Sequence, residues 1–136
     1  MKLSAKAEYA CLAMLALARA RPEDPPVRIR DISESHDIPE RYLVQILLQL
    51  KGSGLVSSTR GAGGGYRLAR PPETISLGEV LTAIDGPDPP PREPGKPAAR
   101  ALAVVWQLVR EAERSVLDTT SIAQVAAKTS PHEWTI

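Results

Sequence analysis

The run from Ser57 to Arg70, Ser-Ser-Thr-Arg-Gly-Ala-Gly-Gly-Gly-Tyr-Arg-Leu-Ala-Arg, restricts what this chain can fold into more than any other segment. Leu55–Thr59 reads as a strand and Gly65–Ala69 as its hairpin partner. The glycines between them let the tip turn sharply and approach a neighbour closely. Three arginines, Arg60, Arg67 and Arg70, lie in the run, and no acid does.

The segment before the hairpin fixes its context. Pro39 to Lys51 is expected to be a helix, with Tyr42, Leu43, Ile46, Leu47 and Leu50 as its apolar stripe and Arg41, Gln45, Gln49 and Lys51 outside it. Pro39 suits a first helical turn, where its missing N–H costs nothing. Gly52 or Gly54 supplies the left-handed stop. Upstream, Arg30–His36 reads as a shorter helix, separated from the next by the tight turn Asp37-Ile38-Pro39. Helix, short turn, helix and hairpin in this order make a winged helix-turn-helix.

The charge is arranged locally. From Arg41 to Pro72 there are five basic residues (Arg41, Lys51, Arg60, Arg67, Arg70) and no Asp or Glu, while the whole chain of 136 residues carries a net charge of +1. That asymmetry points to a polyanion docked on one surface. The low net charge excludes a protein that coats nucleic acid by bulk positive charge. Phe is absent and Trp and Tyr are few, so a base-stacking platform for single strands is not expected.

Around this unit the chain is mainly α-helical. Ser4 can cap a first helix running to about Arg19. Val27-Arg28-Ile29 reads as a very short strand. Ser76-Leu77-Gly78-Glu79 is a capping-box pattern opening a helix that stops at Asp85-Gly86. Residues 87–97 hold six prolines and read as a loop. From Ala98 to about Val116 a long helix carries Leu102, Val105, Trp106, Val109 and Val116 on one apolar face. Ser121-Ile122-Ala123-Gln124 is a second capping box. The organisation expected is a winged helix-turn-helix domain over 1–86, a proline-rich loop over 87–97, a dimerisation helix with a short C-terminal helix over 98–127, and a frayed tail over 128–136.

Candidate site residues follow from this layout. A helix after a short turn can lay its first turns against base edges in a major groove. Arg41 and Gln45 lie four apart on one face; Arg suits guanine O6/N7 and Gln suits adenine N6/N7. Arg60 at the hairpin tip is placed for a narrow minor groove. Arg67 and Arg70 are expected to hold phosphates, Lys51 to belong to the same DNA-binding face, and Gly63 and Gly64 to allow close backbone approach. The glycine loop is no nucleotide-binding loop: it lacks the lysine and hydroxyl of a P-loop, Tyr66 stands at the third glycine of G-x-G-x-x-G, and no helix follows.

Enzyme chemistry finds no foothold. His36 and His132 are the two histidines, and no nucleophile, triad or paired carboxylates accompany them. Cys11 is the single cysteine. It lies among apolar residues of the first helix, excludes an intrachain disulfide and fits a reducing cytoplasm. No apolar run spans a membrane, and the N-terminus has no signal-peptide pattern.

Three stretches together, Met1-Lys2-Leu3-Ser4-x-Lys6-x-x-Tyr9-Ala10, Ile38-Pro39-Glu40-Arg41-Tyr42-Leu43-x-Gln45 and Leu55-Val56-x-Ser58-x-Arg60-Gly61-x-Gly63-Gly64-Gly65-Tyr66-x-Leu68, resemble the Rrf-type family of bacterial transcription regulators. The resemblance is close over about 1–86 and looser over 98–126. It implies a homodimeric winged-helix protein that binds double-stranded DNA, with Arg41, Gln45 and Arg60 at the family's contact positions. Two departures stand out. Val44 replaces a glutamate that reads bases in many members. Cluster-binding members carry three cysteines between the domain and the dimer helix, whereas residues 86–105 have none; Glu8 matches a carboxylate ligand of some relatives but has no cysteines to join. The expectation is therefore no iron–sulfur cluster and no other cofactor or metal. A cluster-free branch of the family responds through a partner protein, which the resemblance extends to this chain by analogy. The function expected is a sequence-specific regulator, a repressor. A different class, an adaptor whose basic face serves an acidic protein, is the alternative.

Overall fold

The computed structural model describes residues 1–129. Six helices and one hairpin follow in order: α1 (Ala5–Ala18), α2 (Ile29–His36), α3 (Glu40–Gly52), β1 (Val56–Thr59), β2 (Gly65–Leu68), α4 (Leu77–Asp85), α5 (Pro97–Thr119) and α6 (Ile122–Ala127), with a 3-10 turn at Pro72–Thr74. The tail expected to fray over 128–136 falls, from residue 130 on, outside the described residues.

α1 is the centre of the packing. Its buried face is Ala7, Ala10, Ala13, Met14 and Leu17. The alanines are short enough for neighbouring helices to come close, and α3, α4 and α6 all pack against it. Leu43, Ile46, Leu47 and Leu50 of α3, Ile32 of α2, Val80 of α4 and Ile122 of α6 complete the same core. Each such side chain contributes roughly 1.5–3 kcal/mol when withdrawn from water. Ser4 caps α1 by accepting the Ala7 N–H, and its hydroxyl donates to the Asp85 carboxylate at 3.1 Å, tying the start of α1 to the end of α4.

The turn between α2 and α3 is built on Asp37, which takes the left-handed conformation at φ 53°. An aspartate tolerates this better than most residues. The turn drives Ile38 into the core, and the Ser33 hydroxyl donates to the Ile38 carbonyl at 2.6 Å. Pro39 stands just outside α3 as its N-terminal cap rather than inside its first turn. Tyr42 also departs from expectation: it is not part of the buried stripe but lies exposed beside Tyr9.

The hairpin pairs Val56 with Leu68, Ser57 with Arg67, Ser58 with Tyr66 and Thr59 with Gly65. The expected short strand at Val27 is a single bridge, in which Val27 and Tyr66 exchange two backbone hydrogen bonds of 2.8 and 2.9 Å. Gly65 is required there, because a Cβ on it would lie 2.5 Å from the Val27 carbonyl oxygen. Both capping boxes form as read, with Ser76 and Glu79 opening α4 and Ser121 and Gln124 opening α6.

α5 runs from Pro97 to Thr119, longer at both ends than its periodicity suggested. Proline at its first position is what a helix start accepts. At a rise of 1.5 Å per residue its 23 residues reach about 35 Å. Its C-terminal part sits on α4: Asp118 presses on Gly78, and Arg114 donates to Asp118 at 3.1 Å and to the Thr82 hydroxyl at 3.2 Å. No residue of α5 is fully buried.

Candidate nucleic-acid interface

α3 presents two faces. Leu43, Ile46, Leu47 and Leu50 hold it in the core. On the opposite side Arg41, Val44, Gln45 and Leu48 are exposed, at spacings of three and four that place them along one stripe. Arg41 is set by its neighbour: its guanidinium carbon lies 5.1 Å from the centre of the Tyr42 ring, and that ring is 6.2 Å from the ring of Tyr9 on α1. A cation over an aromatic face is attracted by the ring quadrupole. Tyr42, displaced from the core, thus gives Arg41 a seat. Gln45 points out, whereas Gln49 is half-buried and donates to the Ile84 carbonyl at 3.4 Å.

The hairpin is held on three sides. The Val27 bridge fixes its outer edge. Arg67 donates to the carbonyls of Pro22 and Asp24, clasping the loop between α1 and α2. Arg28, which sequence reading did not single out, donates to the Ala62 carbonyl at 2.7 Å and braces the tip. Lys51, at the end of α3, donates to the Ser58 hydroxyl at 2.7 Å and joins the helix to β1. Within the tip Gly61 has φ 104°, and Gly64 closes on Gly61 by a 3.0 Å backbone bond. A Cβ on Gly64 would meet the Thr59 carbonyl at 2.2 Å, while Gly63 faces open space.

The three hairpin arginines therefore differ. Arg70 forms a fork on Glu79, with nitrogen–oxygen distances of 2.8 and 3.2 Å, and also donates to the Thr74 carbonyl. This contact holds the Glu79 carboxyl below its ordinary value and raises the guanidinium. Arg67 is engaged as described. Both are expected at phosphates; the contacts of Arg67 are distant in sequence and leave no local signal, whereas those of Arg70 lie four and nine residues on. Arg60 at the tip is exposed and makes no hydrogen bond or ion pair among the described residues.

The apolar face expected on α5 is open to solvent. Leu102, Val105, Trp106, Val109 and Val116 are all exposed, Trp106 to 55 %. Val104 and Leu108, off that face, are exposed as well. From Ala101 to Val109 only Gln107 is polar, and a helix apolar nearly all round calls for a partner on more than one side.

Among the described residues no three His, Cys, Asp or Glu side chains gather as metal ligands. Burial, and to a lesser degree the Glu8 charge, push the Cys11 thiol up to about 11, so it is a protonated, hydrophobic side chain near neutral pH. His36 lies below its ordinary value because it is half-buried and near Arg19, with Asp37 opposing.

An exposed reading stripe on the second helix of a helix-turn-helix, followed by a braced cationic hairpin, defines a winged-helix DNA-binding transcription regulator. The comparisons agree. The model of the Rrf2 family, described as an iron-dependent transcriptional regulator, matches residues 3–128, and the chain belongs to that family. It is 42% identical over 137 residues to the HTH-type transcriptional regulator Rv1287 of Mycobacterium tuberculosis, covering 96% of this chain and 84% of that one. It is 36% identical over 131 residues to the HTH-type transcriptional regulator CymR of Bacillus subtilis, covering 95% and 92%. The solved structure of that CymR, the global cysteine regulator, superposes with a TM-score of 0.84 at 34% identity, over 96% of this chain and 99% of that one. The IscR of T. potens gives 0.79 at 31%, over 98% and 91%. Both curated relatives carry the name of HTH-type transcriptional regulator, and no helix among the described residues is long and apolar enough to cross a membrane.

Proposed function

We propose that the chain is a cytoplasmic, homodimeric repressor that reads a two-fold symmetric duplex site, α3 in the major groove and the wing tip in the adjoining minor groove. The observation that carries this is the division of labour in the hairpin. Arg67 and Arg28 are spent holding it still, and Arg60 is left unengaged at its tip. Arg41 and Gln45 meet base edges. Lys51 keeps donors beyond its bond to Ser58 for a phosphate. Arg67 and Arg70 add positive field behind it, and Gly63 leaves the tip backbone open to a close approach. A second copy covers Leu102, Val105, Trp106, Val109 and Val116 and brings two reading stripes to two half-sites. The donor set does not suit an iron–sulfur cluster, so the signal that changes DNA affinity enters by another route, a partner protein docking on the dimer.

Selection of bound duplexes from a random pool, followed by affinity measurement across salt, tests the reading. The expected result is a pair of inverted half-sites and a log–log salt slope of about −0.9 per phosphate neutralised. Arg60→Ala weakens sites with a narrow A·T-rich minor groove about tenfold more than sites with G·C at the wing position. Absence of any preferred duplex would leave the basic face to an acidic protein partner and overturn the proposal.

A further inference from the structure

Two residues of the α3 reading stripe have no polar chemistry. Val44 is 44 % exposed and Leu48 58 % exposed, on a helix whose other aliphatic residues, Leu43, Ile46, Leu47 and Leu50, are buried. Leu48 lies between Val44 and Arg41 in angular position, opposite the core, one turn beyond Val44 and beside the Gln45 position. Neither side chain supports the domain, since the buried stripe already anchors the helix. An exposed leucine at the middle of a polar face is costly to hydrate unless something apolar meets it. The surroundings restrict what that is. Arg41 precedes the pair, and Lys51 and the wing follow, with no acid from Arg41 to Pro72. A hydrophobic protein partner gains nothing from that cationic rim, whereas a polyanion with apolar points inside a groove fits both features. In duplex DNA the apolar point facing the major groove is the C5-methyl of thymine.

We propose that Val44 and Leu48 are specificity-determining residues that read thymine 5-methyl groups in each half-site. The inference rests on the DNA-reading role of α3 proposed above and deepens it. Arg41 and Gln45 supply hydrogen-bond readout, and the aliphatic pair supplies contacts that accept thymine and reject cytosine, which has hydrogen in place of the methyl. Both side chains are exposed, so truncating them leaves the core intact.

The test uses the full-length protein and the duplex enriched from the random pool. Each thymine of a half-site is replaced in turn by deoxyuridine, which removes one methyl and leaves every hydrogen-bonding group in place. The wild-type protein should lose about fourfold in affinity at each contacted methyl, by the value of one buried CH₂ group. Val44→Ala should abolish the loss at one position and Leu48→Ala at another, while both variants keep the wild-type salt slope. Enriched half-sites without thymine, no loss on deoxyuridine replacement, or a loss that persists unchanged in both variants would each overturn the inference while leaving salt-dependent duplex binding intact. If no duplex is preferred at all, the inference falls together with the reading beneath it.

Discussion

Cys11 and Arg41 show how a neighbour sets what a side chain can do. With its thiol near 11, Cys11 is thiolate to on the order of one part in ten thousand at pH 7. Native protein should therefore react with a thiol-labelling disulfide far more slowly than the same protein in denaturant, by two orders of magnitude or more. Equal rates in the two states would show that Cys11 is open and reactive. Arg41 depends on the opposite kind of neighbour, a ring that left the core. Sequence periodicity assigned Tyr42 to the buried stripe because its spacing to Leu43 and Ile46 permits that. In the fold the ring lies outside instead, beside Tyr9 of α1 and under a cation.

Among the elements, the hairpin combines a legible plan with illegible fastening. The two strands, the glycine tip and the helix before them follow from residues a few positions apart, as do the capping boxes at Ser76 and Ser121, so short-range chemistry was enough to read them. The fastenings run from Arg28 to Ala62, from Arg67 to Asp24 and from Val27 to Tyr66. Separations of that size carry no sequence period, which is why neither the clasp made by Arg67 nor the brace made by Arg28 stands out in the sequence. Gly65 tests the fastening directly. A methyl there meets backbone, not a flexible side chain, so Gly65→Ala should cost about 1–3 kcal/mol in denaturant-measured stability. It should also weaken duplex binding as Arg60→Ala does, since the tip loses its fixed position. Unchanged stability and binding would show that the Val27 bridge is dispensable.

At the scale of the molecule, α5 stands apart from the core. The apolar face of α5 is visible in the sequence and carries the expectation of dimerisation; the all-round apolar stretch that includes Val104 and Leu108 emerges only with the exposures. Trp106→Glu should shift the protein from dimer to monomer in sedimentation at micromolar concentration, without lowering the helix content measured by circular dichroism. Binding to a double half-site should then fall toward that of a single half-site. A dimer that survives the charge would place the interface elsewhere. The seat of α5 on α4, where Asp118 meets Gly78 and Arg114 reaches Thr82, has a mechanical consequence. A helix about 35 Å long fixed at one end is a lever. Tilting it by about 6° carries its far end about 3.5 Å, which is the rise of one base pair. In a dimer closed through α5, the joint at Gly78 works like the pivot of a pair of callipers. On the reading proposed above, that joint sets the number of base pairs between two half-sites, far from any residue proposed to touch a base.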